Sequence, residues 1–308
     1  MQGENPVPNH RAAHKCLSCL ALLRPTHWAK NGFVFLPLFF DGALGDKDAL
    51  LRTSLVFASF CLLASAVYCL NDLRDIEADR RHPKKRTRPL ASGAVSKGEC
   101  VFLMVFLALL AFVPPFLLPE RREEIALVLI LYGALNVAYC LWLKHLAVAD
   151  VLALSFGYVL RLLGGGIAGG ITLTHWIVLM TFLLALFLAL AKRRDDLLIM
   201  QKTGEAPRRN TARYSLDFIN QSLTVTMAVT LFCYIMYTVS GDVMARFGTE
   251  RLYVTALFVL AGFLRYLQLS LVDGKSGDPT RLLLRDRVLQ LVLALWGASF
   301  AVIIYAGR

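Results

Sequence analysis

The clearest candidate for chemistry is an acidic helix face in the segment NDLRDIEAD, which ends at Asp79. At about 100° per residue, Asn71, Asp72, Asp75 and Asp79 fall within roughly one quadrant of a helix, whereas Glu77 points the other way. Like charges at this spacing destabilise a helix unless a counterion is present. Carboxylate and amide oxygens bind hard divalent cations, and Mg²⁺ commonly brings substrate phosphates with it. The spacing predicts a Mg²⁺ site, with Mn²⁺ as an alternative ion; the competing interpretation is an acidic turn that pairs with the arginines after it.

A strongly basic loop, RRHPKKRTRPLASG, occupies 80–93 directly after this face. A basic loop is usual on the cytoplasmic side of any membrane protein. Beside a metal site it suits a second task, because Lys and Arg form charge-assisted hydrogen bonds with phosphate. We therefore interpret Lys84, Arg86 and Arg88 as cations that contact a Mg²⁺-bound diphosphate.

Two further charged features lie in or next to apolar stretches. Arg161 is about 20 Å from the cytoplasmic end of its stretch at 1.5 Å per residue. A lone arginine at that depth is costly, so it should face a cavity or a partner, with Tyr158 one turn earlier on the same face. We favour contact with phosphate over an interhelical ion pair. The second feature is the cluster KRRDD, in which Lys192 and Asp196 could simply pair on a helix surface.

Glycines follow Arg161 within the same apolar stretch. Such a run indicates close helix packing or a broken helix end, and a phosphate-binding loop is the weaker interpretation. The glycines concerned are Gly164, Gly165, Gly166, Gly169 and Gly170.

The elements that must position these groups are membrane helices. Of 308 residues, 57% are hydrophobic and 18% charged, and the mean hydropathy is +0.57. A water-soluble chain could not cover that much apolar surface, and the apolar segments are continuous rather than alternating. The predicted fold class is all-α, a polytopic membrane helix bundle in which a polar tail (1–20) precedes one transmembrane domain (21–308). With about 20 apolar residues per span, about nine spans are predicted, at 22–44, 52–71, 98–118, 124–143, 147–170, 174–192, 215–240, 251–272 and 288–306.

The distribution of basic residues sets the orientation. Nine spans leave 24 Lys and Arg on the side of the N-terminus and 7 on the other side. The positive-inside rule then places the N-terminus and both charged clusters in the cytoplasm, in a multi-pass protein of the cell (inner) membrane. The net charge of +11 is explained by this topology, so nucleic acid is not a predicted partner.

The acidic face and its basic loop also carry a family resemblance. The pattern N-D-x-x-D-x-x-x-D, followed by H-P-x-K-R-x-R-P-L-A-S-G, resembles the first aspartate-rich motif of the UbiA superfamily of membrane prenyltransferases. In detail it is similar to the branch of polyprenyl-phosphate phosphoribosyltransferases that act on decaprenyl phosphate. Further matching stretches are RPTHWAKN at 24–31, YCLWLKH at 139–145, YVLR at 158–161, AKRRDDL at 191–197 and LRDRV at 284–288. The resemblance implies a helical bundle whose polar cavity opens to the cytoplasm and laterally to lipid, with the two charged clusters facing each other across it.

The resemblance also suggests the donor and additional site residues. Aromatic prenyltransferases of the superfamily carry a second D-x-x-x-D where this chain has KRRDD. The mixed charge favours a donor with more phosphate than a prenyl diphosphate, which phosphoribosyl diphosphate satisfies. Asp196 matches the acidic last position in this branch. The additional substrate-binding residues it implies are Lys30, Asn31, Tyr139, Lys144 and Arg194.

These inferences lead to one predicted reaction, the transfer of 5-phosphoribose from phosphoribosyl diphosphate to a decaprenyl-like polyprenyl phosphate. Membrane lipid is the remaining predicted partner, and the sequence leaves the oligomeric state open. The predicted alternative is an aromatic prenyltransferase of the UbiA type with a polyprenyl diphosphate donor; a transporter of phosphorylated metabolites is a third interpretation. The predicted catalytic residues are Asp72, Asp75, Asp79, Lys192 and Arg193.

Overall fold

In the computed structural model, the structure describes residues 10–81, 85–204, 206–207, 210–274, 282 and 285–305. The α-helices are α1 (His10–Leu23), α2 (Leu36–Asp41), α3 (Lys47–Arg81), α4 (Lys97–Leu110), α5 (Val113–Phe116), α6 (Arg122–Leu141), α7 (Ala149–Gly169), α8 (His175–Thr203), α9 (Leu216–Thr238), α10 (Gly241–Phe247), α11 (Ala256–Leu267) and α12 (Arg287–Tyr305). Eight helical stretches of the described residues are long and apolar enough to cross a membrane. They are α3, Lys97–Phe116, α6, α7, α8, α9, Arg251–Val272 and Arg287–Ile304. Each corresponds to one of the predicted spans, which confirms the all-α membrane fold.

The first predicted span, 22–44, is built differently from the other eight. It contains the end of α1, a 3₁₀ helix at Pro25–Phe35 and then the short helix α2. The break has a local cause, because Pro25 lacks an amide hydrogen and disfavours the α conformation in the residue before it. Arg24 leaves the right-handed α conformation and adopts φ of 50°. Within the described residues, this segment is therefore not one continuous spanning helix.

The described chain is divided into two compact units. The first comprises the residues up to Leu141 together with Leu163–Ile171. Its long helix α3 contacts α1, α4, α6 and the 3₁₀ helix at Pro25–Phe35. One buried cluster joins α3 to the end of α1, to the start of α4 and to the chain between α3 and α4. It consists of Leu22, Cys69, Ile76, Leu90, Val95 and Cys100.

The second unit comprises Trp142–Leu162 and the residues from Thr172 onward. Its core contains packed aromatic side chains. The ring centre of Phe187 lies 5.1 Å from that of Phe263 and 5.2 Å from that of Tyr266. α8 begins at a side-chain cap from Thr174, and α9 begins at one from Ser215. These caps satisfy amide groups that a helix start leaves without intrahelical partners.

Candidate active site

The predicted acidic face exists and is turned inward. Because α3 runs without interruption to Arg81, the helical spacing of its acidic residues is realised. Asp72 and Asp79 are each 3% exposed. The Glu77 side chain on the other face is 71% exposed and pairs with Arg80 at 3.1 Å. The two remaining members of the face, Asn71 and Asp75, are half-buried.

Arginines balance the charge of this face. Arg24 Nη2 donates to Asp72 Oδ1 at 2.5 Å. Arg88 Nη1 donates to Asp79 Oδ2 at 2.6 Å and to Asp72 Oδ1 at 3.2 Å, so one guanidinium spans both carboxylates. The competing interpretation, an acidic turn paired with the arginines after it, thus describes the contacts of Arg88 but not those of Arg24, which precedes the face. Both aspartates are buried rather than solvated.

The chain after α3 folds back on that helix and so positions Arg88. Leu90 and Val95 pack into the cluster formed with α3. The Arg88 amide donates to the carbonyl of Lys85 at 3.0 Å, and Arg80 Nε donates to the carbonyl of Ala91 at 3.3 Å. Arg86, predicted to contact diphosphate, is exposed, and Lys84 lies outside the described residues.

Arg24 is a residue of this cluster that the sequence reasoning missed. Its guanidinium also lies 4.9 Å from the ring centre of Tyr68, in the arrangement of a cation–π contact. The available signal was the matching stretch 24–31, from which only Lys30 and Asn31 were selected as site residues. An arginine at the start of a predicted span is otherwise a normal topology signal.

The acidic face suits a hard divalent cation in chemical type. Asp72 and Asp79 present oxygen ligands on one side of α3, beside the amide oxygen of Asn71, and Mg²⁺ prefers such ligands. Among the described residues, however, no three His, Cys, Asp or Glu side chains are grouped closely enough to hold a metal ion. Arg88 supplies the positive charge between the carboxylates in this structure. The metal assignment therefore stays a prediction.

Arg161 lies where the sequence predicted, on a buried face with Tyr158. It is 8% exposed, and its Nη1 donates to the carbonyl of Gly157 at 2.8 Å. The guanidinium carbon lies 5.3 Å from the centre of the Tyr158 ring. These contacts within α7 partly offset the free-energy cost of burying the charge. Contact with a substrate phosphate remains a prediction.

The arginines of the KRRDD cluster are buried, and they connect neighbouring helices through hydrogen bonds. Arg193 is 1% exposed. Its Nε donates to Asp150 Oδ2 at 2.6 Å, and its Nη1 donates to Asp196 Oδ2 at 3.1 Å. Arg194 Nε donates to Asn220 Oδ1 on α9 at 2.9 Å, and its Nη1 donates to a carbonyl in the π-helical turn that follows α11. Both guanidinium groups therefore bind acceptors of the protein itself.

Asp150 is the second residue that sequence reasoning missed. It is 0% exposed, although it lies in the first turn of α7. Its Oδ1 accepts from the Tyr214 hydroxyl at 2.5 Å, and its Oδ2 accepts from Asn210 Nδ2 at 2.8 Å as well as from Arg193. Burial and this hydrogen bond raise the pKa of the Tyr214 hydroxyl. No sequence signal marked Asp150, because an acid in the first turn of a helix is ordinary.

The other predicted site residues fall in both units. Asn31 is 1% exposed, and its Nδ2 donates to Cys61 Sγ at 3.2 Å. Lys30 is exposed, whereas Tyr139, Lys144 and Lys192 are half-buried. The acidic cluster lies in the first unit and the KRRDD cluster in the second. A shared cavity between the two clusters stays a prediction.

Comparisons with known proteins agree with the resemblance seen in the motifs. The sequence model of the UbiA prenyltransferase family matches residues 35–285. Decaprenyl-phosphate phosphoribosyltransferase from Mycolicibacterium smegmatis is 33% identical over 293 residues, which cover 92% of this chain and 91% of that protein. The enzyme of that name from Mycobacterium tuberculosis is 34% identical over 284 residues, covering 90% and 91%. A solved UbiA homolog from Archaeoglobus fulgidus, bound to GPP and Mg²⁺, shares the fold with a TM-score of 0.69 and 20% identity, covering 94% of this chain and 99% of that chain.

Proposed function

Because the chain belongs to the UbiA prenyltransferase family, we propose that it transfers 5-phosphoribose from phosphoribosyl diphosphate to a polyprenyl phosphate and releases diphosphate. It is a multi-pass membrane protein and a polyprenyl-phosphate transferase. The observation that carries the proposal is the identity of 33% and 34%, over about nine-tenths of the chain, to enzymes named for this reaction.

The acidic cluster is proposed to bind the diphosphate end of the donor. Asp72, Asp75, Asp79 and the Asn71 amide would hold Mg²⁺, which supplies neutralisation of the departing diphosphate charge. Arg88 already lies between two of these carboxylates, and a guanidinium there can donate to phosphate oxygens as well. The cluster would thus stabilise the charge that develops on the leaving group.

The acceptor needs no protein base in this proposal. A phosphate monoester has its second pKa near ~6, so the lipid phosphate is already a nucleophilic dianion near neutral pH. As the bond to diphosphate breaks, positive charge develops at the anomeric carbon, and the lipid phosphate attacks from the opposite face with inversion. Arg161 and Lys192 are proposed to contact the remaining phosphate groups, and the polyprenyl chain would lie against the lipid side of the helices.

The identity of the donor can be tested with purified protein in detergent or lipid. With Mg²⁺, labelled phosphoribosyl diphosphate and polyprenyl phosphate, we expect a lipid-linked 5-phosphoribose and one diphosphate per product. We expect no prenylation of 4-hydroxybenzoate from a polyprenyl diphosphate. If the protein prenylates the aromatic acid and ignores phosphoribosyl diphosphate, the aromatic prenyltransferase alternative replaces this proposal. Transport of labelled donor into vesicles without diphosphate release would favour the transporter.

The same assay tests the role of the KRRDD cluster. Loss of one charge-assisted contact to phosphate costs about 1.5–3 kcal/mol. Lys192→Ala should therefore weaken use of phosphoribosyl diphosphate roughly ten- to a hundredfold. The matched control is Lys202→Ala, which removes an exposed lysine from the same helix. Equal kinetics of the two variants would exclude Lys192 from the donor site.

In the proposed orientation, the protein spans the cell (inner) membrane and both charged clusters lie on its cytoplasmic side. Ser92 is exposed in the chain after α3, and Ala245 is exposed in α10 on the predicted opposite side. On a cysteine-free background, a membrane-impermeant thiol reagent should label Ala245→Cys in intact cells and leave Ser92→Cys unlabelled until the cells are opened. Labelling of Ser92→Cys in intact cells would reverse the orientation.

A further inference from the structure

The Asp150 carboxylate joins three separate segments of the second unit. It lies at the start of α7, and it binds Arg193 of α8 and two residues of the chain between α8 and α9. We propose that Asp150 is a positioning residue, which orients the Lys192–Asp196 part of α8 for binding the 5-phosphate of the donor. The inference rests on the proposed function for the identity of that donor.

The hydrogen bonds of Asp150 explain why it positions other groups and does not bind a ligand itself. Its Oδ2 accepts from Arg193 Nε at 2.6 Å and from Asn210 Nδ2 at 2.8 Å. Its Oδ1 accepts from the Tyr214 hydroxyl at 2.5 Å and from the Val151 amide at 2.8 Å. An ionised carboxylate has about four lone-pair sites, so these four donors use its full capacity. With 0% exposure, it is also shielded from any substrate.

Asp150 controls the orientation of α8 through Arg193. A buried guanidinium must be paired, because an unpaired charge in the interior is very costly. Arg193 is held between Asp150 and Asp196, at 2.6 Å and 3.1 Å. The pair with Asp196 lies within α8, one helical turn along, whereas the pair with Asp150 joins α8 to α7. The Asp150 pair therefore defines the rotation of this part of α8. That rotation determines the direction of the neighbouring Lys192.

The same carboxylate fastens the chain that follows α8. The Tyr214 hydroxyl donates to Asp150 and accepts from the Val148 amide at 2.7 Å. Val148 adopts φ of 69°, an uncommon conformation for a β-branched residue. The start of α7 is therefore held in a costly backbone geometry by its link to Tyr214. Asp150 thus connects Arg193 of the KRRDD cluster, Asn210 and Tyr214 in one buried network.

The primary test is Asp150→Asn in the full-length protein. Asparagine keeps the size of the side chain, but it removes the charge and turns one acceptor into a donor that faces Arg193 and Asn210. We expect the KM for phosphoribosyl diphosphate to rise about tenfold or more, while the KM for polyprenyl phosphate changes less than about twofold. Equal effects on both KM values, or none, would overturn the proposal.

A pair of tyrosine variants covers the case in which Asp150→Asn fails to fold. Tyr214→Phe removes one hydroxyl from the network, and Tyr234→Phe removes the hydroxyl of another buried tyrosine, which bonds to Thr255 and Trp296. We expect Tyr214→Phe to raise the KM for phosphoribosyl diphosphate and Tyr234→Phe to leave it unchanged. The same KM in both variants would contradict a positioning role.

Hydrogen exchange needs no substrate, so it tests the positioning role of Asp150 independently of the proposed function. Hydrogen exchange should become faster in residues 190–197 and 210–214 of Asp150→Asn and Tyr214→Phe, but not in those segments of Tyr234→Phe. Unchanged exchange there would overturn the positioning role even if the wild type uses phosphoribosyl diphosphate. Conversely, a wild type that ignores this donor refutes the proposed function, and the exchange result still decides whether Asp150 orders α8.

Discussion

Asp75→Ala is expected to reduce transfer to background while the protein stays folded, and chelation of divalent metal is expected to silence the wild type. Asp75 shares the inward face of α3 with the buried Asp72 and Asp79. Even groups that only support a metal ligand cost ten- to a hundredfold in activity when removed, so loss of a ligand should cost at least about a hundredfold. Asp75 is half-buried and its helix is long, so truncation should preserve the fold.

The matched control is Glu77→Ala, which removes a carboxylate two residues later on the same helix. The Glu77 side chain is 71% exposed and lies on the opposite face, so its loss should leave activity and the unfolding temperature almost unchanged. Activity should return when Mg²⁺ is added after chelation, and Mn²⁺ is expected to substitute. Full turnover in excess EDTA, or equal activity of the two variants, would remove the metal role from this face.

Gly165→Ala is expected to destabilise the first unit strongly. An ideal Cβ at Gly165 would lie 1.9 Å from the carbonyl oxygen of Val34 and 2.8 Å from its carbonyl carbon. Relief would require the backbone of α7 to move away from the 3₁₀ helix at Pro25–Phe35, since a backbone carbonyl cannot rotate aside as a side chain can. Overpacking usually costs about 1–3 kcal/mol and occasionally more, and so short a contact belongs at the upper end.

The yield of monodisperse protein and its unfolding temperature measure this effect, with Gly133→Ala as the control. A Cβ at Gly133, in α6 of the same unit, would meet only the Leu63 side chain at 3.9 Å. Because alanine is favoured over glycine in a helix by about 1 kcal/mol, Gly133→Ala should be neutral or stabilising. If Gly165→Ala were as stable as Gly133→Ala, the close contact with Val34 would be wrong.

The amino-acid sequence by itself determined the helical spans and the face of α3 on which the buried aspartates lie. Eight predicted spans correspond to helices, and Asp72 and Asp79 are buried while Glu77 is exposed, as the helical period requires. These features depend on hydropathy over about 20 residues and on a repeat of 3.6 residues, and both are local properties of the chain. Close helix packing at the glycine run was likewise one of the two structures that its composition indicated.

The partners of the charged groups were decided by the tertiary structure. Arg24 lies 48 positions from Asp72, and Asp150 lies 43 positions from Arg193 and 64 from Tyr214. Several arginines near the acidic face are chemically equivalent in the sequence, and packing of Leu90 and Val95 against α3 brings Arg88 to it. Likewise, Arg193 forms a buried ion pair between helices because α7 places the Asp150 carboxylate next to α8. A buried charge must pair with whichever opposite charge the packed helices bring within reach, and that proximity exists only after distant segments have met.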